Sequence, residues 1–163
     1  MADYMKRVAF TIILNGHRHL VHKNYYDTMS KNFDLWVIVE GLSNPGGSTS
    51  WCNELDSKFH NNFISNDGTS EFLDDNKKDN VIIVRPENRP WDSKDEQVNA
   101  AIEEIKKHYN ECFLWQIDID EQWSKEQLEE AEKYLQESKG KTGCFLCNYF
   151  VGPNQLVFGE WGE

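Results

Sequence analysis

Residues 112–123 read CFLWQIDIDEQW. The first part is apolar and β-prone, and then Asp118, Asp120 and Glu121 place three carboxylates in four positions. That is a buried strand stopped by charge. In an extended strand, side chains two apart face the same way, so the spacing predicts that Asp118 and Asp120 point together while Ile119 points away. Two like charges held close beside a buried sheet repel and are poorly solvated. A divalent cation relieves both problems, and hard oxygen ligands suit Mg²⁺ or Mn²⁺. Capping of the next helix is the simpler alternative; it accounts for Glu121, beside a positive helix end, but not for Asp118.

The elements on either side set this strand in order. Upstream, SKDEQVNAAIEEIKKHY (93–109) predicts a helix that opens on a Ser93/Glu96 capping box and buries Val98, Ala101, Ile102, Ile105 and Tyr109. Buried strands are expected at 7–14 (RVAFTIIL), 33–41 (FDLWVIVEG) and 80–86 (NVIIVRP), and helices at 20–31 and 70–78. Residues 51–68 suggest a short helix and then a turn at SNDGT. Downstream, Ser124 and Gln127 open a helix with Leu128, Ala131 and Leu135 on its buried stripe and Gly140 at its end. Residues 143–161 read as two strands about a GPN turn. The order is α/β with a mainly parallel central sheet, flanking helices and a C-terminal hairpin. In such sheets ligands gather beyond the carboxyl ends of the strands, where this chain has NG (15–16), EG (40–41), RPENRPW (85–91) and DIDE (118–121).

Composition narrows the partners. The chain has 163 residues, enough for one domain with a core, and 39% are hydrophobic. A net charge of -11 repels phosphate backbones, which argues against nucleic acid. A small anion can still bind if a metal ion offsets that charge. No apolar run approaches the ~20 residues of a membrane span. The basic pair before the apolar run at 7–14 resembles a signal peptide, but a buried first strand is the better reading. The four cysteines form no framework, which suggests a reducing, cytoplasmic setting. Cys144 and Cys147 make a C-x-x-C without a second ligand pair and are expected as small residues within a strand.

A strand running into D-x-D after a β-α-β-α-β half resembles the nucleotide-diphospho-sugar glycosyltransferases of the GT-A fold, a Rossmann-like fold, and family 2 in particular. The segment LWQIDIDEQW is similar to compact members from large DNA viruses that act on glycoproteins. The resemblance covers about residues 7–160, and only the D-x-D segment is specific. It implies a metal-dependent transferase, acting in the host cytoplasm if viral, that moves a hexosyl or deoxyhexosyl group from a nucleotide-diphosphate sugar to a glycan or glycoprotein hydroxyl, with inversion. It further implies that Asp118 and Asp120 hold Mn²⁺ or Mg²⁺, with Asp118 also near the ribose. Asn15 and Gly16 would line the nucleotide, Glu40 would bond the base or ribose, and Arg89 or Lys94 would reach the base or diphosphate. Glu160, and more remotely Glu163, are the candidate catalytic bases.

The chain departs from that pattern in two ways. Many family-2 members close the second strand with two adjacent acidic residues, and here VEGLS has one. The segment after D-x-D is some forty residues, where the family has an acceptor half. Residues 1–163 therefore read as a minimal enzyme, a fragment of a longer polypeptide, or a donor-binding half. Two rivals stand beside the transferase: a phosphatase using D-x-D as nucleophile and acid, disfavoured by the fourth-strand position, and a nucleotide-sugar-binding module without turnover. His17, His19 and His22 do not share a helix face, so a three-histidine metal site is not expected. PGGSTS (45–50) lacks the Lys-Ser/Thr of a P-loop and reads as a mobile loop over the donor. Trp91, Trp123 and Trp161 are core or sugar-stacking residues, with Trp123 the stacking candidate.

Overall fold

The computed structural model describes residues 5–44, 57–145, 149–152 and 155–157, in two compact units, 1–125 and 126–163. In the first unit the order is β1 (Arg7–Ile13), α1 (His17–Val21), α2 (Tyr25–Asn32), β2 (Leu35–Glu40), α3 (Thr69–Asp75), β3 (Val81–Val84), α4 (Lys94–Lys106) and β4 (Phe113–Gln116). The four strands form one all-parallel sheet in the order β3-β2-β1-β4. This is the α/β, Rossmann-compatible arrangement expected from the alternation of elements.

The continuous apolar runs of β1 and β2 follow from burial on both faces. On one face Val8, Phe10, Leu35, Val37 and Val39 pack with Ala101 and Ile105 of α4 and with Trp91. On the other, Trp36 is wholly buried; its Nε1–H donates to Thr11 Oγ1 at 2.9 Å, and Tyr25 and Tyr26 of α2 lie against its ring. Phe72 of α3 meets Tyr26 edge-on. Each fully buried aliphatic side chain contributes about 1.5–3 kcal/mol. α4 starts as expected, with Ser93 Oγ accepting the Glu96 N–H at 3.1 Å. Glu96 does not close the capping box: its carboxylate bonds Asp92 N–H and Arg89.

The expected helix at 20–31 is divided. α1 ends at Val21, a 3₁₀ turn covers His22–Asn24, and Lys23 and Asn24 take left-handed φ values of 46° and 59°. No glycine or proline marks this kink; asparagine tolerates the conformation because its short polar side chain can bond locally. The consequence is tertiary, since the kink turns Tyr25 and Tyr26 onto Trp36. The predicted helix within 51–68 appears only as a 3₁₀ turn, Ser57–Phe59, and residues 45–56, including PGGSTS, lie outside the described residues.

In the second unit α5 (Lys125–Glu137) buries Leu128 and Ala131, as its stripe predicted, and β5 (Tyr149–Gly152) pairs antiparallel with β6 (Gln155–Val157). Cys144 is exposed and precedes β5, so it is not within a strand as expected, and Cys147 lies outside the described residues. Among the described residues no helix is long and apolar enough to cross a membrane.

Asp34 ties the starts of β1 and β2. Its carboxylate accepts from Lys6 Nζ at 2.8 Å and from Arg7 N–H at 2.9 Å, and its own N–H donates to Arg7 O. Burial pushes the Asp34 carboxyl up, and the Lys6 and Arg7 hydrogen bonds outweigh it, so the group titrates below its ordinary value. A depressed native pKa stabilises fully above the unfolded value, near 4, and the contribution is lost as pH falls through the native value. Asp34→Asn is expected to cost about 1 kcal/mol at pH 7, with the gap narrowing below about pH 4; urea denaturation at pH 7 and pH 3 measures it.

Candidate functional site

The strand order fixes where a ligand can sit. From β1 the chain proceeds to β2 and β3 on one side and returns to β4 on the other, so the switch point lies between the carboxyl ends of β1 and β4. Two loops meet there. Gly16, after β1, is buried, and a Cβ built on it would lie 3.5 Å from Ile119, after β4.

Ile117, just past β4, is buried and donates its N–H to Phe10 O at 3.1 Å. Asp118 to Glu121 then form a turn. The Glu121 N–H donates to Asp118 O at 3.0 Å, and the Asp118 N–H donates to a Glu121 carboxylate oxygen at 3.2 Å. Asp118 and Asp120 are both exposed. The strand-pleat argument for their shared direction is thus corrected: β4 ends at Gln116, and Asp118 and Asp120 lie in a turn. Among the described residues no group of three or more His, Cys, Asp or Glu side chains is placed to hold a metal ion. Two hard carboxylates fit Mg²⁺ or Mn²⁺ when a ligand's phosphate oxygens and water complete the shell.

Tyr25, at the head of α2, also belongs to this site. It is 5% exposed, and its hydroxyl has no hydrogen-bond partner. Burial, then the charges of Glu121, Asp120 and Asp118, push the phenol far above its ordinary pKa. An unsatisfied buried hydroxyl costs about 1–3 kcal/mol. Sequence reasoning missed Tyr25 because the kink that turns it inward has no local signal. At the other end of α2, Asn32 Nδ2 donates to Trp123 O at 3.4 Å. Trp123, half-buried, meets Trp115 edge-on at 5.2 Å, so it is a packing residue with one part open.

The remaining candidates behave differently from expectation. The three N–H groups of the loop after β1 already have acceptors: Asn15 to Ser65 Oγ at 3.0 Å, Gly16 to Thr69 Oγ1 at 2.9 Å and His17 to Asp67 Oδ2 at 3.1 Å. The Asn15 side chain donates to Phe59 O and accepts from Asn66 N–H. Asn15 and Gly16 therefore hold the 57–69 segment, and the polar groups expected to line a nucleotide are bonded within the protein. Glu40 is wholly buried and accepts from Ser65 N–H at 3.2 Å, Ser70 Oγ at 2.5 Å and Arg85 Nε at 2.7 Å. Its carboxylate is turned to those internal partners and not to solvent.

Arg89 is exposed and committed to Glu96, Asp92 and its neighbour's carbonyl. Lys94 is an exposed first-turn residue of α4. Both follow β3, which β2 separates from β1, so the strand order does not bring them to the switch point. Trp91 is core, its Nε1–H donating to Glu40 O. The histidines separate, with His17 and His19 in α1 and His22 opening the 3₁₀ turn, and His17 packs on Phe72. Glu160, Trp161 and Glu163 lie outside the described residues.

Arg85 was not singled out by the sequence. Its guanidinium bonds Glu40, both Asp74 oxygens at 3.0 and 3.1 Å, and Ser70 O at 3.2 Å. Burial lowers its pKa, and the bonds to Glu40 and Asp74 outweigh that, raising it.

No family model matches this sequence, and no curated protein or solved structure matches it either.

Arg85→Met would leave the Glu40 charge buried with hydroxyl and N–H donors alone. The expected cost is about 2–3 kcal/mol, at or below the range for a wholly buried pair because Arg85 retains some water contact. Adding Glu40→Gln should recover part of it, as urea denaturation of the single and double variants would show.

Proposed function

We propose that the crevice between β1 and β4 binds Mn²⁺ or Mg²⁺ on Asp118 and Asp120, and with it the diphosphate of a nucleotide sugar, as a metal-dependent glycosyltransferase of GT-A type. The observation that carries the site is the exposed carboxylate pair in a hydrogen-bonded turn at the switch point of a parallel sheet. The transferase reading, and with it a glycan or glycoprotein acceptor and an inverting course, rests on the resemblance of LWQIDIDEQW to that family, and a cytoplasmic setting rests on the four cysteines without a framework.

The physical argument runs through charge. A surface of net charge -11 repels a free diphosphate, so the anion needs a cation between it and the turn. Such an ion neutralises charge on the leaving nucleotide as an acceptor hydroxyl attacks the anomeric carbon. Asp118 and Asp120 supply two carboxylates, and the turn's own hydrogen bonds hold the backbone that carries Asp118. Cation and nucleotide should therefore bind together. A binding module without turnover is the second reading. The internal saturation of Asn15, Gly16 and Glu40 bears on both readings alike, because three groups expected to grip the donor are already engaged.

The test is a thermal-shift panel of nucleotides and nucleotide sugars with and without Mn²⁺. Stabilisation is expected only with both present, reaching about 2.7 kcal/mol at a hundredfold excess over Kd. EDTA, Asp118→Asn and Asp120→Asn should each abolish it without changing the melting point of the free protein by more than about a degree, since both carboxylates are exposed. Stabilisation by no combination, or one indifferent to both substitutions, would overturn the site. Mn²⁺-dependent hydrolysis of a nucleotide sugar separates transferase from module.

A further inference from the structure

Residues 57–66 are tied to the carboxyl ends of β1 and β2 by their polar groups. Asn15 Nδ2 donates to Phe59 O at 2.6 Å, and Asn15 Oδ1 accepts from the Asn66 N–H at 2.9 Å. The Leu42 N–H, just past β2, donates to Phe63 O at 2.7 Å. What the segment leaves toward solvent is aromatic. Phe59 is 43% exposed, and no other phenylalanine, tyrosine or tryptophan is exposed among the described residues of the first unit. His60 and Phe63 are half-buried, and their rings stack with centroids 5.8 Å apart at 24°. The turn that carries Phe63 is strained. Asn61 and Ile64 exchange N–H···O bonds at 2.9 and 3.1 Å around Asn62, at φ 48°, and Phe63, at φ 71°. Positive φ at both central positions is the type I′ pattern, which favours asparagine followed by glycine. A phenylalanine in the second position crowds its own backbone through Cβ, where glycine would not. Strain of this kind persists where a site makes use of it, and the ring is what phenylalanine adds.

We propose that Phe59, His60 and Phe63 form the nucleobase platform of the donor site, and that the base is held by stacking and not by hydrogen bonds. The inference rests on the reading of the crevice as a nucleotide-diphosphate site. Position joins the two: Asn15 carries Phe59, and the next residue, Gly16, lies against Ile119, between Asp118 and Asp120. A nucleotide whose diphosphate is bridged by a cation to the acidic turn has its base further along the same edge, where the aromatic turn stands. The chemistry agrees. Asn15, Gly16 and Glu40 could have read the polar edge of a base, and they are bonded within the protein. Stacking needs no free donor or acceptor, and every base has a π-face, so such a platform accepts any base.

Calorimetric titration with Mn²⁺ present tests it, using inorganic pyrophosphate and the diphosphates of uridine, guanosine and adenosine. The proteins are the wild type, Phe59→Ala and Phe63→Gly, with the melting point of each free protein. The wild type should bind the three nucleotides within a few-fold of one another, and each more tightly than pyrophosphate. Either substitution should weaken the nucleotides about tenfold, the scale of one base stack, and leave pyrophosphate unchanged. Phe63→Gly should not lower the free melting point, because glycine releases the positive φ, and Phe59→Ala should not because the side chain is open. Nucleotide affinity unaltered in either variant, an equal loss for pyrophosphate, a preference for one base beyond about tenfold, or a free protein destabilised by Phe63→Gly would each overturn the inference while leaving the cation site intact. Failure of the wild type to bind pyrophosphate or any of the nucleotides with Mn²⁺ would overturn the site, and the inference with it.

Discussion

A carboxylate without water contact closes the second strand, and the guanidinium of Arg85 makes that burial tolerable. An ionised carboxylate cannot enter a protein interior without partners that replace its hydration. Glu40 finds them on three elements: Ser65 in the loop before α3, Ser70 within α3 and Arg85 just beyond β3. Arg85 continues to Asp74 and to the Ser70 carbonyl, so one guanidinium binds the end of β2 to both ends of α3. The backbone at the same point is equally engaged. Trp91 donates to Glu40 O, Gln97 Nε2 donates to Gly41 O at 2.9 Å, and Gly41 N–H donates to Ile13 O. Gly41 itself has φ +130°, and a Cβ there would stand 2.8 Å from Pro86 Cδ.

This clasp divides the carboxyl edge of the sheet into two halves of different character. Around β2 and β3 the polar groups satisfy one another and close the edge. The loop after β1 belongs to the same economy, because Ser65, Asp67 and Thr69 accept its three N–H groups. Around β4 the edge is open. Asp118 and Asp120 face solvent, and the one buried side-chain polar atom without a partner among the described residues, the Tyr25 hydroxyl, lies within their field. The contrast between a saturated half and an unsaturated half is what directs attention to the turn at 118–121.

Much of the fold was legible in the sequence, because burial on both faces leaves a direct trace. RVAFTII and LWVIVE are unbroken apolar runs, and the α4 stripe of Ala101 and Ile105 with its Ser93 cap is local chemistry. The kink at Lys23 and Asn24 left no trace, since neither residue is an obligate breaker and the inward turn of Tyr25 and Tyr26 answers to Trp36, distant in the chain. The site was legible in part. The acidic turn announced itself by three carboxylates after an apolar strand; its backbone hydrogen bonds did not, and the pleat argument for Asp118 and Asp120 fails because β4 stops at Gln116.

The sequence by itself determined that this chain makes an α/β core and follows its fourth strand with charge, because periodicity, capping and charge placement are properties of neighbouring residues; that Asp118 and Asp120 are exposed, rather than poorly solvated beside the sheet as expected, came from the fold. Only the tertiary structure decided which polar groups remain available to a ligand. Glu40, Asn15, Gly16 and Arg89 stood beside Asp118 and Asp120 as candidates in the chain. Their difference lies in partners supplied by remote segments: Arg85 and Ser70 for Glu40, Ser65 and Thr69 for the loop after β1. Whether a polar group is spent or available depends on what the fold brings within hydrogen-bond reach, and no local pattern encodes that.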